Sequence, residues 1–180
     1  ANLPAGNTIG GSGNTAWTWG NSDKKLTLTG AGPYTLTGTA SGNMRVVANT
    51  AVDLTLDSAS FTSDTDETAL YLPQGGTLKV TADSQVTGAI RGAFGSLAIV
   101  LNDADLDVDG EYGVIDVNSL SLTGNGTVAA VASGGVAVNC VGDLEVGIGC
   151  TLSASGTGGL IFQDSFSGAA PVISGGGNIT

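Results

Sequence analysis

The chain repeats itself about every two dozen residues, and few folds accept such a repeat. Ala69, Ala89, Gly113, Gly135 and Gly159 open the similar strings ALYLPQGG, AIRGAFGS, GVIDVNSL, GVAVNCVG and GLIFQDSF, at spacings of 20, 24, 22 and 24 residues. A unit this short cannot bury an apolar face alone, so it must stack on its neighbours as a solenoid. Three stretches of alternating apolar and polar residues recur in each unit. The first column holds Met44/Val46, Leu70/Leu72, Ile90, Val114, Val136/Val138 and Leu160/Phe162. The second holds Leu26/Leu28, Leu54/Leu56, Leu78/Val80, Leu97/Ile99, Leu120/Leu122 and Leu144/Val146. The third holds Leu36, Phe61, Val86, Leu106, Val128 and Leu152. Alternation with period two turns these side chains inward and their neighbours outward.

Turn signals separate the stretches: Gly75-Gly76, Ala82-Asp83-Ser84, Asn125-Gly126, Gly134-Gly135 and Gly158-Gly159. The inward positions are Val, Leu, Ile and Ala with Thr and Ser between them, which suits a pleated surface, and no long run has helical spacing. Three strands and three turns in 20–24 residues predict an all-β fold. The expected form is a single-stranded parallel β-helix with coils stacked at ~4.8 Å. Uneven periods and varied turns suit the right-handed type. Residues 25–180 then make six to seven coils, and residues 1–24, which depart from the repeat, form an N-terminal cap. Trp17 and Trp19 cover the first rung in that account, because an open edge recruits other strands. The alternative for the same two rings is a sugar-stacking platform. At the far end Pro171-Val172-Ile173 enters another strand and no cap follows, so either a neighbouring domain meets this edge or the chain was cut from a longer polypeptide. The opening ANLPAGNTIGG reads as the start of a mature or trimmed chain.

Composition narrows the function. Sixteen acidic side chains against five basic ones give a net charge of −11, which repels nucleic acid and anionic lipid. No stretch approaches the ~20 apolar residues of a membrane span. The chain has no His, which removes Ser–His and Cys–His nucleophiles and the commonest zinc ligand. Cys140 and Cys150 flank a strand-like segment that holds them apart at ~3.3 Å per residue, so two separate thiols are expected rather than a disulfide.

The stretch LTLTGAGPYTLTGTASGNMRVVANTAVDLTLDSASFTS, with ALYL after it, resembles the β-helical "carbohydrate-binding domain" of bacterial secreted and cell-wall-linked proteins. The shared pattern is G-x-Y-x-L-x-G-T, here Gly32, Tyr34, Leu36, Gly38 and Thr39, followed by a strand of the type Ala69-Leu70-Tyr71-Leu72. The match covers about a quarter of the chain. The resemblance implies a secreted or cell-surface location and a glycan or a host or cell-wall surface as partner. It transfers no binding residue.

Two outward surfaces are candidate sites. If Arg45, Tyr71 and Arg91 stack on successive rungs, two of the five basic residues flank a ring that an acidic glycan could use, together with Trp17 and Trp19. The structural alternative is a cation–π stack. The string Asp105, Asp107, Asp109, Gly110, Glu111 and Asp116 matches the start of a calcium loop, D-x-D-x-D-G with a carboxylate at position 12. Calcium is the one cofactor suggested. Its alternative is a strand whose outward residues happen to be acidic. Asp116 falls in the inward column unless the strand shifts phase so that Ile115 and Val117 point in, which is the simpler account. The expected protein is therefore a non-catalytic surface module for adhesion or carbohydrate binding. A structural stalk of a larger surface protein, or a calcium-dependent lyase-like fragment with Arg91 one coil before Asp116, are the alternatives.

Overall fold

The computed structural model describes residues 3, 6–14, 16–63, 68–163 and 172–180, without the side chains of 12–14, 93, 160, 162 and 163. The inward positions given to Leu160 and Phe162, and the strand start given to Pro171, lie outside what is described. Most of the described residues are strand, wound into a parallel β-helix of about six turns, and no helix occurs among them.

Two strands precede the solenoid, β1 (Asn7–Asn14) and β2 (Trp17–Gly20). The first coil is β3 (Lys25–Leu28) and β4 (Gly32–Thr39), the second β5 (Arg45–Ala48) and β6 (Val52–Thr62), the third β7 (Thr68–Tyr71), β8 (Gly76–Ala82) and β9 (Ser84–Thr87). The fourth is β10 (Ala89–Asn102) and β11 (Leu106–Gly110), and the fifth is one bent strand, β12 (Ile115–Ala132), running over all three faces. The sixth is β13 (Val136–Cys140), β14 (Leu144–Val146) and β15 (Cys150–Gly156). The last is β16 (Gly159–Gln163), β17 (Ile173–Ser174) and β18 (Asn178–Ile179).

The alternating pattern becomes three parallel ladders around one aliphatic core. On the first face Leu26, Val46, Leu70, Ile90, Ile115, Val138 and Ile161 stack in register. On the second face Tyr34, Leu54, Leu78, Ile99, Leu122 and Val146 do so. On the third, Phe61, Val86, Val108, Ala130 and Ala154 do so. All except Ile161 are buried, and Ile161 packs partly against them.

Four alignments are corrected by this register. Leu26 and Leu28 lie under Val46 and Ala48, and Tyr34 and Leu36 take the place below Leu54 and Leu56. Ile99 rather than Leu97 stacks on Leu78, and Val108 rather than Leu106 stacks on Val86. Val46 rather than Met44 stacks on Leu70. The last three are slips of two residues, which keep every side chain on its proper face, so hydrophobic pattern alone cannot detect them. The register itself breaks between Gly92 and Ser96, where a longer corner adds residues. Asp116 is half-exposed while Ile115 and Val117 are buried, so the strand does shift phase. Ala137 of the next coil is in the core as well.

Backbone lies on backbone at the corners. Gly124 has φ +95°, and a Cβ there would come within 2.0 Å of the Leu101 carbonyl oxygen of the coil below, so only glycine fits. The first coil carries the reversed strands: β1 runs antiparallel to β4 with Ile9 opposite Leu36, and β2 antiparallel to β3 with Trp19 opposite Leu26. Trp17 and Trp19 are partly buried against the core. The motif behind the family resemblance serves this seat. Tyr34 is fully buried; its hydroxyl accepts the Gly30 N–H at 3.0 Å and lies 2.7 Å from the Ala16 carbonyl, which it reaches as donor. Gly38 has φ +81° and packs against the Gly6 carbonyl.

Candidate functional site

Outward positions of the first face form a stripe, Thr27, Val47, Tyr71, Arg91, Asp116 and Asn139, on successive rungs. Parallel pairing fixes their spacing at ~4.8 Å, so a ring, a guanidinium, a carboxylate and an amide stand in one row. Each of the last four is half-buried between its strand neighbours. Asn139 Nδ2 donates to Asp116 Oδ1 at 3.0 Å. Arg91 Nε and Asn139 Oδ1 are buried without a hydrogen-bond partner. Among the described residues the ion pairs within 4.0 Å are Lys25–Asp23 at 3.0 Å and Lys79–Asp53 at 2.9 Å, so Arg91 makes none with the neighbouring Asp116. The stripe therefore sets a guanidinium, a carboxylate and an amide, each partly exposed, beside an aromatic ring, while the two unbonded atoms lie beneath the surface.

Tyr71 and Arg91 are adjacent, as the repeat predicted, but Arg45 is not in their row. Val47 stands opposite Tyr71, and Arg45 stands opposite Lys25 one coil below. Arg45 instead lines a cleft of about 200 Å³ with Asp23, Lys24 and Asn43, and Trp19 lines an adjoining cleft of about 210 Å³. The ligand residues proposed from sequence thus separate into a stripe and an end. Asn139, Lys24 and Asn43 were not singled out there. Asn139 becomes visible once Ile115 is turned inward, and Lys24 through a count of cations, since Lys24, Lys25 and Arg45 are three of five.

Asp105, Asp107 and Asp109 lie along the outside of the third face, where alternate residues of an extended strand are ~6.6 Å apart. Two carboxylates here bind backbone of the coil above: Asp83 Oδ1 accepts the Asp105 N–H at 3.0 Å, and Asp105 Oδ1 accepts the Thr127 N–H at 2.6 Å. Gln85 Nε2 donates to Asp109 Oδ2 at 3.4 Å. Burial, then the charges of Asp109, Asp105 and Asp83, push the Asp107 carboxyl above the usual range. Glu111 lies at the corner that follows, and Asp116 is on the first face, bonded to Asn139. Among the described residues no three acidic or thiol side chains form a group that could hold a metal ion. The extended strand spreads along one face what a calcium loop would make converge.

Cys140 and Cys150 are separate buried thiols. Cys140 Sγ lies 3.3 Å from the Asp143 carbonyl and Cys150 Sγ 3.3 Å from the Gly124 carbonyl, and burial raises both thiol pKa values.

The fold and the stripe together define a β-solenoid with a mixed polar and aromatic outer face. No family model, curated protein or solved structure matches the chain.

Proposed function

We propose that the protein is a non-catalytic β-helix module, secreted or displayed at a cell surface, that binds carbohydrate or adheres through its first outer face. The observation that carries this is the Tyr71–Arg91–Asp116–Asn139 row. A sugar offers an apolar ring face and a rim of hydroxyls, and the row supplies an aromatic surface next to a donor, an acceptor and an amide. Arg91, Asp116 and Asn139 are each half-buried, so each keeps part of its surface open to a ligand. Screening the protein on a glycan array, with Tyr71→Ala beside it, tests the proposal. Binding that the variant loses supports it, and no binding by the parent removes the carbohydrate claim.

The second reading is a stalk or spacer of a larger surface protein. It is favoured by the parallel backbone ladders, which link every coil to the next along the described solenoid. A stalk would bind no glycan and tolerate Tyr71→Ala without functional loss.

A further inference from the structure

The reversed N-terminal strands create a second polar site at the first coil. Three of the five cations of a chain with net charge −11 gather there. Lys25 and Arg45 are directly opposite in register, and Lys24 and Arg45 line one cleft. Like charges at this distance repel, and Asp23 offsets them only in part. Asp23 pairs with Lys25 at 3.0 Å, which holds its carboxyl below the usual carboxylate range. Lys24 Nζ donates to the neutral Asn21 Oδ1 at 3.3 Å. Arg45 is half-buried, and its Nε is buried with no hydrogen-bond partner. Among the described residues neither Lys24 nor Arg45 makes an ion pair.

Lys24 holds φ +50°, as Ser58 and Asp103 do at about the same angle elsewhere, a conformation that glycine accepts without strain. One further observation points to a ligand. The clefts of about 200 and 210 Å³ share Lys24 and Asn43, so the cationic cleft opens directly beside Trp19, Asn21 and Ser41. A lysine and an arginine lining one half, and an indole with amides and a hydroxyl lining the other, match a ring that bears a charged group.

We propose that this double cleft binds a saccharide carrying an oxyanion, a carboxylate or a sulfate, with the anion taken by Lys24 and Arg45 and the ring against Trp19. The site uses no residue of the Tyr71–Asn139 row and stands or falls separately from it.

Tryptophan fluorescence reports directly, because one of the two tryptophans lines the cleft. The full chain would be titrated with glucuronate, glucose 6-sulfate, glucose and inorganic sulfate, at low and high salt. Both anionic sugars should bind roughly tenfold tighter than glucose at low salt, and high salt should erase most of the difference. Arg45→Gln should abolish the preference. Lys24→Gly should also abolish it while keeping or raising the melting temperature, which separates lost binding from lost folding. Tyr71→Ala should leave it intact. The proposal is overturned if the anionic sugars bind no tighter than glucose, or if Lys24→Gly keeps the preference. Inorganic sulfate binding as tightly as either sugar would overturn the part assigned to Trp19.

Discussion

Replacing Tyr34 by phenylalanine deletes one oxygen from the place where the reversed strands join the solenoid. That oxygen accepts the Gly30 N–H at 3.0 Å and lies 2.7 Å from the Ala16 carbonyl. The Ala16 carbonyl keeps two other donors, Thr29 N at 2.9 Å and Thr29 Oγ1 at 2.8 Å, so its loss is small. Among the described residues the buried Gly30 N–H makes no other hydrogen bond, and leaving such a group unpaired costs about 1–3 kcal/mol. The ring stays and no cavity larger than a hydroxyl opens, so the whole effect should be about 2 kcal/mol. For a domain of this length that lowers the melting temperature by roughly 4–8 °C. Circular dichroism melts give the total, and hydrogen exchange should show the loss first in β1–β4, since coils interact with nearest neighbours. Thr29→Val, at an exposed hydroxyl, is the control and should change stability by less than about 0.5 kcal/mol. A Tyr34→Phe protein as stable as the parent to within about 0.5 kcal/mol would refute the claim that this hydroxyl fastens the reversed strands.

Other perturbations test the coil stack and the acidic face. Gly124→Ala puts a side chain at φ +95° against the Leu101 carbonyl and should cost about 2 kcal/mol or more in denaturant unfolding; a neutral substitution would contradict the backbone-on-backbone corner. The raised Asp107 pKa means that its contribution to stability is complete below the unfolded value near 3.8 and is lost as pH rises through the folded value. Asp107→Asn should therefore raise the melting temperature at neutral pH, with the gain fading below pH ~4 and in high salt. A gain that persists at low pH would count against the charge explanation. Both buried thiols should resist alkylation in the folded protein and react fully in denaturant, and rapid native labelling would contradict their burial.

Fold was legible because two periods are superimposed in the sequence. The repeat near 22 residues gives the coil, and the alternation of two gives the inward face, down to the phase shift that turns Ile115 and Val117 in. Register was less legible because side-chain alternation is blind to a slip of two, and the long corner between Gly92 and Ser96 adds residues without changing face. That blindness put Arg45 in line with Tyr71, when Val47 holds the place. The first coil was misassigned for another reason. Tyr34 and Leu36 continue the second face at the expected spacing, while Leu26 and Leu28, eight residues earlier, look equally strand-like and carry the same apolar alternation. The acidic string shows the limit of a local motif: D-x-D-x-D reads alike on a loop or a strand, and only the surrounding alternation of Leu106 and Val108 says that it is a strand. The clefts at the first coil could not be read at all, because they depend on a chain reversal that leaves no periodic signal.

The claim that the first outer face is a carbohydrate-binding surface is tested most directly by calorimetric titration with the strongest glycan-array ligand. Parent protein, Tyr71→Ala, Arg91→Gln and Asn139→Ala would be compared with Phe94→Ala, which removes an exposed ring outside the row. The row predicts that each of the first three substitutions weakens binding about fivefold or more, roughly 1 kcal/mol each, and that Phe94→Ala does not. Equal affinity in all five proteins, or no glycan bound by the parent, would contradict it.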